Sequence, residues 1–175
     1  SLSGKINFLD PNNPSSVDKF YWGHNKGIVS ATLTKDKKIL ITGSFDGNIN
    51  FWEMDTGKCR PFIGSPFSSQ VTAISIHGDS LTVALIGKIV RFGSISKCEI
   101  SPESVTSADE ILSVVMLDQA TSIIGCVRFI ELIRDKKKLH TLSVSYDVLS
   151  LDCYGEGSKI IACGSDNKVH FYSID

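Results

Sequence analysis

His24, Ser44 and Asp46 are the residue types of a hydrolase triad: an imidazole base, a hydroxyl nucleophile and a carboxylate to orient the base. A serine nucleophile of that kind sits on a strained, exposed turn beside an oxyanion hole, and the sequence has no GxSxG to build one. Ser44 instead closes an apolar run, ILITGS (39–44). The three side chains therefore read better as buried polar groups that satisfy one another. The stretch YGEGSK (154–159) spaces two glycines like a dinucleotide loop but lacks the third. It lies between strand-like runs rather than ahead of a helix, so a hairpin turn is expected. His77, His140 and His170 show no ligand spacing, and the five cysteines contain no CxxC pair. Neither a metal site, a cofactor nor a disulfide framework is expected, and no constellation supports an enzyme or a small-molecule substrate.

The totals narrow the class further. The 175 residues are 42% hydrophobic and 21% charged, a balance that buries a real core. Lys+Arg numbers 18 against 19 Asp+Glu, so the charge calls for neither nucleic acid nor an anionic membrane. No apolar run approaches the ~20 residues that cross a bilayer. The opening SLSGKINFLD has no signal-peptide pattern, and a cytoplasmic protein is expected. Two basic runs, Lys35–Lys38 and Arg134–Lys138, read as solvated hairpin turns; as a functional surface they would steer an acidic partner.

Those residues need elements to hold them, and a repeat supplies the elements. Five strand-like segments recur: GKINFLD (4–10), GNINFWE (47–53), GKIVRFG (87–93), FIELIRD (129–135) and NKVHFYS (167–173). Their central branched residues, Ile6, Ile49, Ile89, Ile130 and Val169, are separated by 43, 40, 41 and 39 residues. Within each interval, short runs of Ile, Val, Thr and aromatics alternate with Gly, Asp, Asn and Ser turns, the pattern of antiparallel hairpins. No segment sustains a helical period; the best candidate, PESVTSADEIL (102–112), reads as a loop. Four strands per ~40 residues, apolar on both faces, must stack on like neighbours, which predicts an all-β fold of β-propeller blades.

The unit at residues 23–53 resembles a WD-repeat blade: it opens with Gly23-His24, has Ser44 and Asp46 around its central turn, and closes on Trp52-Glu53. The resemblance implies a buried relay in which Asp46 bonds His24, His24 bonds Ser44, and Ser44 bonds the Trp52 indole N–H. Each unmade bond there would cost about 1–3 kcal/mol. The last unit keeps a degraded copy in Ser165, Asp166 and Tyr172, and the middle units keep neither the acidic turn nor the Trp.

The chain as a whole is similar to the start of the second propeller in the actin-interacting protein 1 family, through SLSGKINFLDPNNPSS, GSFDGNINFWE, TGKC, KCEIS and DNKVHFYSI. That resemblance implies a non-catalytic propeller that binds actin filaments with cofilin and promotes their disassembly in the cytoplasmic actin cytoskeleton. A general WD-repeat scaffold for another cytosolic complex is the rival reading. The expected division is residues 1–22 as the last two strands of a preceding blade, then blades at 23–64, 65–102 and 103–145, and three strands of a further blade at 146–175. About four blades of a larger, seven-bladed propeller are expected, as part of a longer protein. Phe45, in the turn between Ser44 and Asp46, together with Asn25 and Lys26 on the same rim, is the expected partner contact.

Overall fold

A computed structural model of the chain describes residues 1–155 and 159–174, residues 14–19 by backbone alone. Every regular element among them is a strand, and every pairing between named strands is antiparallel and sequential. The first sheet is β1 (Lys5–Asp10) with β2 (Asn13–Trp22). The second runs β3 (Ile28–Leu33), β4 (Ile39–Ser44), β5 (Ile49–Glu53) and β6 (Cys59–Pro61). The third runs β7 (Val71–His77), β8 (Ser80–Leu85), β9 (Ile89–Ser94) and β10 (Glu99–Thr106). Residues 102–106, expected in a loop, belong to β10, where Ser104–Thr106 pair with β9 after an irregularity that spans 101–103.

The remaining strands join two sheets into one ribbon: β11 (Ile111–Met116), β12 (Thr121–Arg134), β13 (Lys137–Tyr154), β14 (Lys159–Gly164) and β15 (Val169–Ser173). β12 folds back on itself at Arg128, whose φ is 63°. Its two ends meet, with Asp135 N donating to Ala120 O at 3.0 Å and Arg134 Nε to Thr121 Oγ1 at 3.1 Å. β13 pairs with β12 up to Asp147 and with β14 from Val148 onward. A fourth sheet thus comprises β11, both arms of β12 and the first half of β13. A fifth comprises the second half of β13 with β14 and β15.

The sheets share one plan whatever their sequence. Ile28 lies opposite Ser44, Val71 opposite Leu85, Ile111 opposite Cys126 and Val148 opposite Gly164. In all four the register shifts at the very next step, a bulge that twists the first strand at the same place. Central strands are buried on both faces, as in β4 and β8, because each is packed between sheets. One apolar cluster joins Ile41, Ile49 and Phe51 of the second sheet to Val71, Leu81, Val83 and Leu85 of the third. Another joins Ala73, Ala84 and Val90 to Ile111, Ile124 and Ile133 of the fourth. Burying each such branched side chain contributes roughly 1.5–3 kcal/mol.

Two glycines set how closely sheets approach. Gly43 and Gly125 hold the same register position, opposite Ser30 and Ser113. A Cβ on Gly43 would lie 2.6 Å from Cγ1 of Val71, and one on Gly125 would meet the Ser113 hydroxyl of its own sheet first and then Cγ1 of Val148 at 2.7 Å. Both valines open the first strand of the following sheet. Gly125→Ala is therefore expected to destabilise the chain by about 1–3 kcal/mol through overpacking. A chemical-denaturation midpoint unchanged from wild type would show that the sheets are not in this contact.

Candidate functional site

The polar site grows from the junction of three segments in the second sheet. The loop ahead of β3 supplies His24, the turn between β4 and β5 supplies Asp46, and the strands supply Thr42 and Trp52. His24 Nδ1 lies 3.1 Å from Asp46 Oδ2, and Nε2 lies 2.7 Å from Thr42 Oγ1. Trp52 Nε1 donates to the same Thr42 oxygen at 2.8 Å. One proton arrangement satisfies the whole chain: the indole N–H donates to Thr42, the Thr42 hydroxyl to His24 Nε2, and His24 Nδ1–H to Asp46. Asp46 also accepts the backbone N–H of Asn25 and of Asn48, each at 2.8 Å, which ties the loop to the turn.

The hydroxyl in this chain is Thr42 and not Ser44, which corrects the sequence expectation. Alternation puts both side chains on one face of β4, but Ser44 lies two residues, about 7 Å, further along the strand. That carries it past the indole. Ser44 instead donates to the carbonyls of Gly27 at 2.9 Å and Lys26 at 3.2 Å, and accepts the Asp46 N–H. With Nε2 of His24 held by Thr42 and the Ser44 hydroxyl turned to carbonyls, Ser44 is not paired with the imidazole, and the Thr42 hydroxyl that is paired with it is fully buried. Tyr21 stacks on the Trp52 ring at 5.6 Å and donates to Met54 O, so the first sheet covers the relay from behind.

Burial pushes the His24 imidazole below the ordinary histidine value, with the Asp46 carboxylate acting against that trend. Burial works to raise the Asp46 carboxyl, but the Asn48 and Asn25 N–H groups and His24 outweigh it and hold it below the usual carboxylate range. A neutral imidazole facing an ionised carboxylate is what the proton arrangement requires.

Asn25 and Lys26 are exposed on the rim above this junction. Phe45 is half-buried, not free at the rim: its ring lies against Gly27, where an added Cβ would meet Cδ2 at 3.4 Å. Of the basic runs, Lys35–Lys38 spans the β3–β4 turn. In the other, Lys136 pairs with Glu103 and Lys138 with Glu131. The turn-like stretch at 154–159 lies partly outside the described residues.

Other sheets solve the same junction with other residues, of which sequence reading named Asp166 and Tyr172 and passed over Ser107, Glu131 and Tyr146. In the fourth, Ser107 stands as far ahead of Ile111 as His24 does of Ile28. Ser107 donates to the fully buried Glu131 at 2.8 Å, and the Ala108 N–H and Lys138 Nζ bond the other oxygen at 2.9 and 3.0 Å. Ala108 N thus binds a carboxylate just as Asn25 N does. In the fifth, Asp166 keeps the place of Asp46, but its histidine, His170, has moved onto β15, 3.0 Å away. Tyr146 stacks on His170 and bonds the hydroxyl of Tyr172, which holds the register position of Trp52. The third sheet has Phe67 and Gly93 at the two key positions and the Arg91 guanidinium over the Phe67 ring. A His–Asp pair at i and i+4 across a turn, as in DNKVH, was the signal available for His170.

Stacked four-stranded antiparallel sheets with a His–Thr–Trp relay and an acidic turn make this a chain of WD-repeat β-propeller blades, and residues 15–53 match the family model "WD domain, G-beta repeat". Over 99% of its length the chain is homologous to WD repeat-containing protein 1-B of Xenopus laevis, at 34% identity. It is also similar over 99% of its length to WD repeat-containing protein 1 of Gallus gallus, at 31%, and to actin-interacting protein 1 of Drosophila melanogaster, at 27%. The chain spans about 30% of the length of these relatives.

Two outcomes are expected from the relay. Thr42→Val strands two buried groups, the Trp52 N–H and His24 Nε2, and should cost about 2–4 kcal/mol. Ser44→Ala should cost less, since Gly27 O keeps the Phe45 N–H as donor; equal losses in denaturant titrations would contradict the assignment. Because the folded state depresses the His24 pKa, its contribution is complete above about pH 6.5, the ordinary histidine value, and is lost as pH falls below it. Unfolding midpoints measured from pH 8 to pH 5 should fall, and His24→Gln should flatten that slope.

Proposed function

We propose that this chain is a non-catalytic interaction module that binds actin filaments in the cytoplasm, prefers filaments decorated with cofilin and promotes their disassembly. The observation that carries the reading is homology across nearly the whole chain to proteins named WD repeat-containing protein 1 and actin-interacting protein 1. The relay supports it in a general way: it pins a loop and a turn into a rigid rim with Asn25 and Lys26 exposed, and a rigid rim binds without paying much ordering entropy. Such a surface promotes disassembly by binding a distorted filament better than a relaxed one, since a ligand shifts an equilibrium only by its differential affinity.

The test is co-sedimentation of the folded chain with bare and cofilin-decorated actin filaments at two salt concentrations. Pelleting is expected with decorated filaments, less with bare ones, and less at high salt for both. Lys26→Glu is expected to weaken pelleting several-fold without changing the unfolding midpoint, because the side chain is exposed. A folded chain that pellets with neither filament would sink the reading in favour of a scaffold for another complex.

A further inference from the structure

The sequence holds two Ser-Pro dipeptides, Ser65-Pro66 and Ser101-Pro102, and the fold treats their hydroxyls differently. Ser65 closes a turn: its N–H and its hydroxyl both donate to Phe62 O, the hydroxyl at 2.8 Å. Ser101 lies in β10, the outer strand of the third sheet, which is itself packed between the second sheet and the fourth. Ile100 pairs with Gly93 and Ser104 with Arg91, so residues 101–103 fall in a break of the β9–β10 register. Pro102, Glu103 and Ser104 are exposed, and Ser101 is half-buried. The bonds at the Ser101 hydroxyl are long. It donates to Glu103 Oε2 at 3.2 Å, and accepts from the Glu103 N–H at 3.3 Å and from Lys136 Nζ at 3.4 Å. Against the usual O–H···O separation of about 2.7–2.8 Å, this hydroxyl is loosely held.

A cleft of about 430 Å³ opens beside it between the third and fourth sheets, with Lys97, Glu99, Ser101, Pro102, Asp135 and Lys136 on its walls. Lys136 comes from the β12–β13 turn of the fourth sheet and pairs across the gap with Glu103, whose carboxyl it holds below the usual range. One ammonium thus already reaches both Ser101 and Glu103. A phosphate on Ser101 would compete with the Glu103 carboxylate for that ammonium and win, because it carries more charge and three acceptor oxygens.

We propose that Ser101 is a phosphoacceptor for a proline-directed serine kinase, and that Lys136 receives the phosphate and so clasps the third sheet to the fourth. The Ser101 Oγ attacks the γ-phosphorus of the ATP that the kinase holds. The Oγ–P bond forms as the bond to the β-phosphate oxygen breaks, the hydroxyl proton passes to the base of the kinase, and ADP leaves. Proline after the serine suits such an enzyme, since it fixes φ and brings no N–H to be satisfied. The segment at 101–103 is already extended, lies on an outer edge and can lift away without breaking ladder bonds. The product adds about −1.5 to −2 charges at neutral pH beside the basic run Arg134–Lys138, and offsets the positive charge there.

The test is treatment of the folded chain with a mitogen-activated kinase and a cyclin-dependent kinase, each with MgATP, with the modified sites read by mass spectrometry. Ser101 is expected to be phosphorylated about tenfold faster than Ser65, whose hydroxyl is committed to its turn. Ser101→Ala and Pro102→Ala should each remove the Ser101 signal; Pro102 is exposed, so circular dichroism should show that variant folded. A synthetic peptide of residues 96–107 runs alongside. If neither kinase modifies Ser101 in peptide or chain, or if both spare the chain while modifying the peptide, the proposal is overturned. Phosphorus NMR of the product tests the clasp. Lys97 and Lys136 favour the phosphate dianion, while Glu99, Glu103 and Asp135 oppose it. Lys136→Met should therefore raise the second ionisation of the phosphoserine, which is ordinarily near pH ~6. A titration that the substitution leaves unmoved would overturn the role given to Lys136.

Discussion

The strands at the middle of each sheet are apolar on both sides, and that single constraint organises the molecule. A four-stranded sheet with two greasy faces has no stable form in water by itself, so its stability resides in the space between neighbours. Everything regular about the chain serves that space. The bulge recurs at the start of every first strand because each must twist into the same position against the preceding sheet. Gly43 and Gly125 are bare because the next sheet's first valine occupies the place of a side chain. Even the polar contact between Thr82 and Ser122, buried and 2.8 Å apart, runs from one sheet to the next rather than within either.

Against that apolar background, the junction between the loop entering each sheet and the turn inside it is where polar groups must be buried, and the sheets meet this demand differently. The second uses an imidazole, a hydroxyl and an indole in series; the fourth uses a carboxylate reached by a serine, a backbone N–H and a lysine; the fifth moves the histidine onto the strand and pairs two tyrosines. The third largely abandons polarity and packs Phe67 against Arg91. What is preserved is a contact between the segment that enters the sheet and the strands or turn inside it, and not the residues that achieve it. Burial raises the Cys126 thiol to about 11, so beside Ser107 it acts as a small buried group and not as a nucleophile.

The fold was legible because spacing is a property of the chain that survives substitution: strands near Ile6, Ile49, Ile89, Ile130 and Val169 had to be positioned alike. The relay was only partly legible. His24, Asp46 and Trp52 are distinctive residue types, but Thr42 and Ser44 share a face of β4, and choosing between them needs the offset of β4 against β5. The Ser107–Glu131 junction was invisible because its carboxylate comes from the strand, where a lone Glu among apolar residues reads as solvent-facing. Phe45 shows a related ambiguity: a large side chain in a turn suggests exposure, and the structure has it half-buried against Gly27.

β13 has a consequence for how the chain comes apart. Its 18 residues form the outer strand of the fourth sheet and then, without interruption, the inner strand of the fifth. Between the second and third sheets, by contrast, the path from Pro61 to Val71 contains no strand. Opening the outer edge of the fourth sheet therefore loosens the innermost hydrogen bonds of the fifth, so those two sheets are joined through a continuous strand as well as by packing, while the second and third are joined by a shared apolar cluster and by the bonds Ile63 makes with Cys98 and Ile100. Amide protons of Val148–Tyr154 thus share the fate of those around Leu142, although they belong to different sheets.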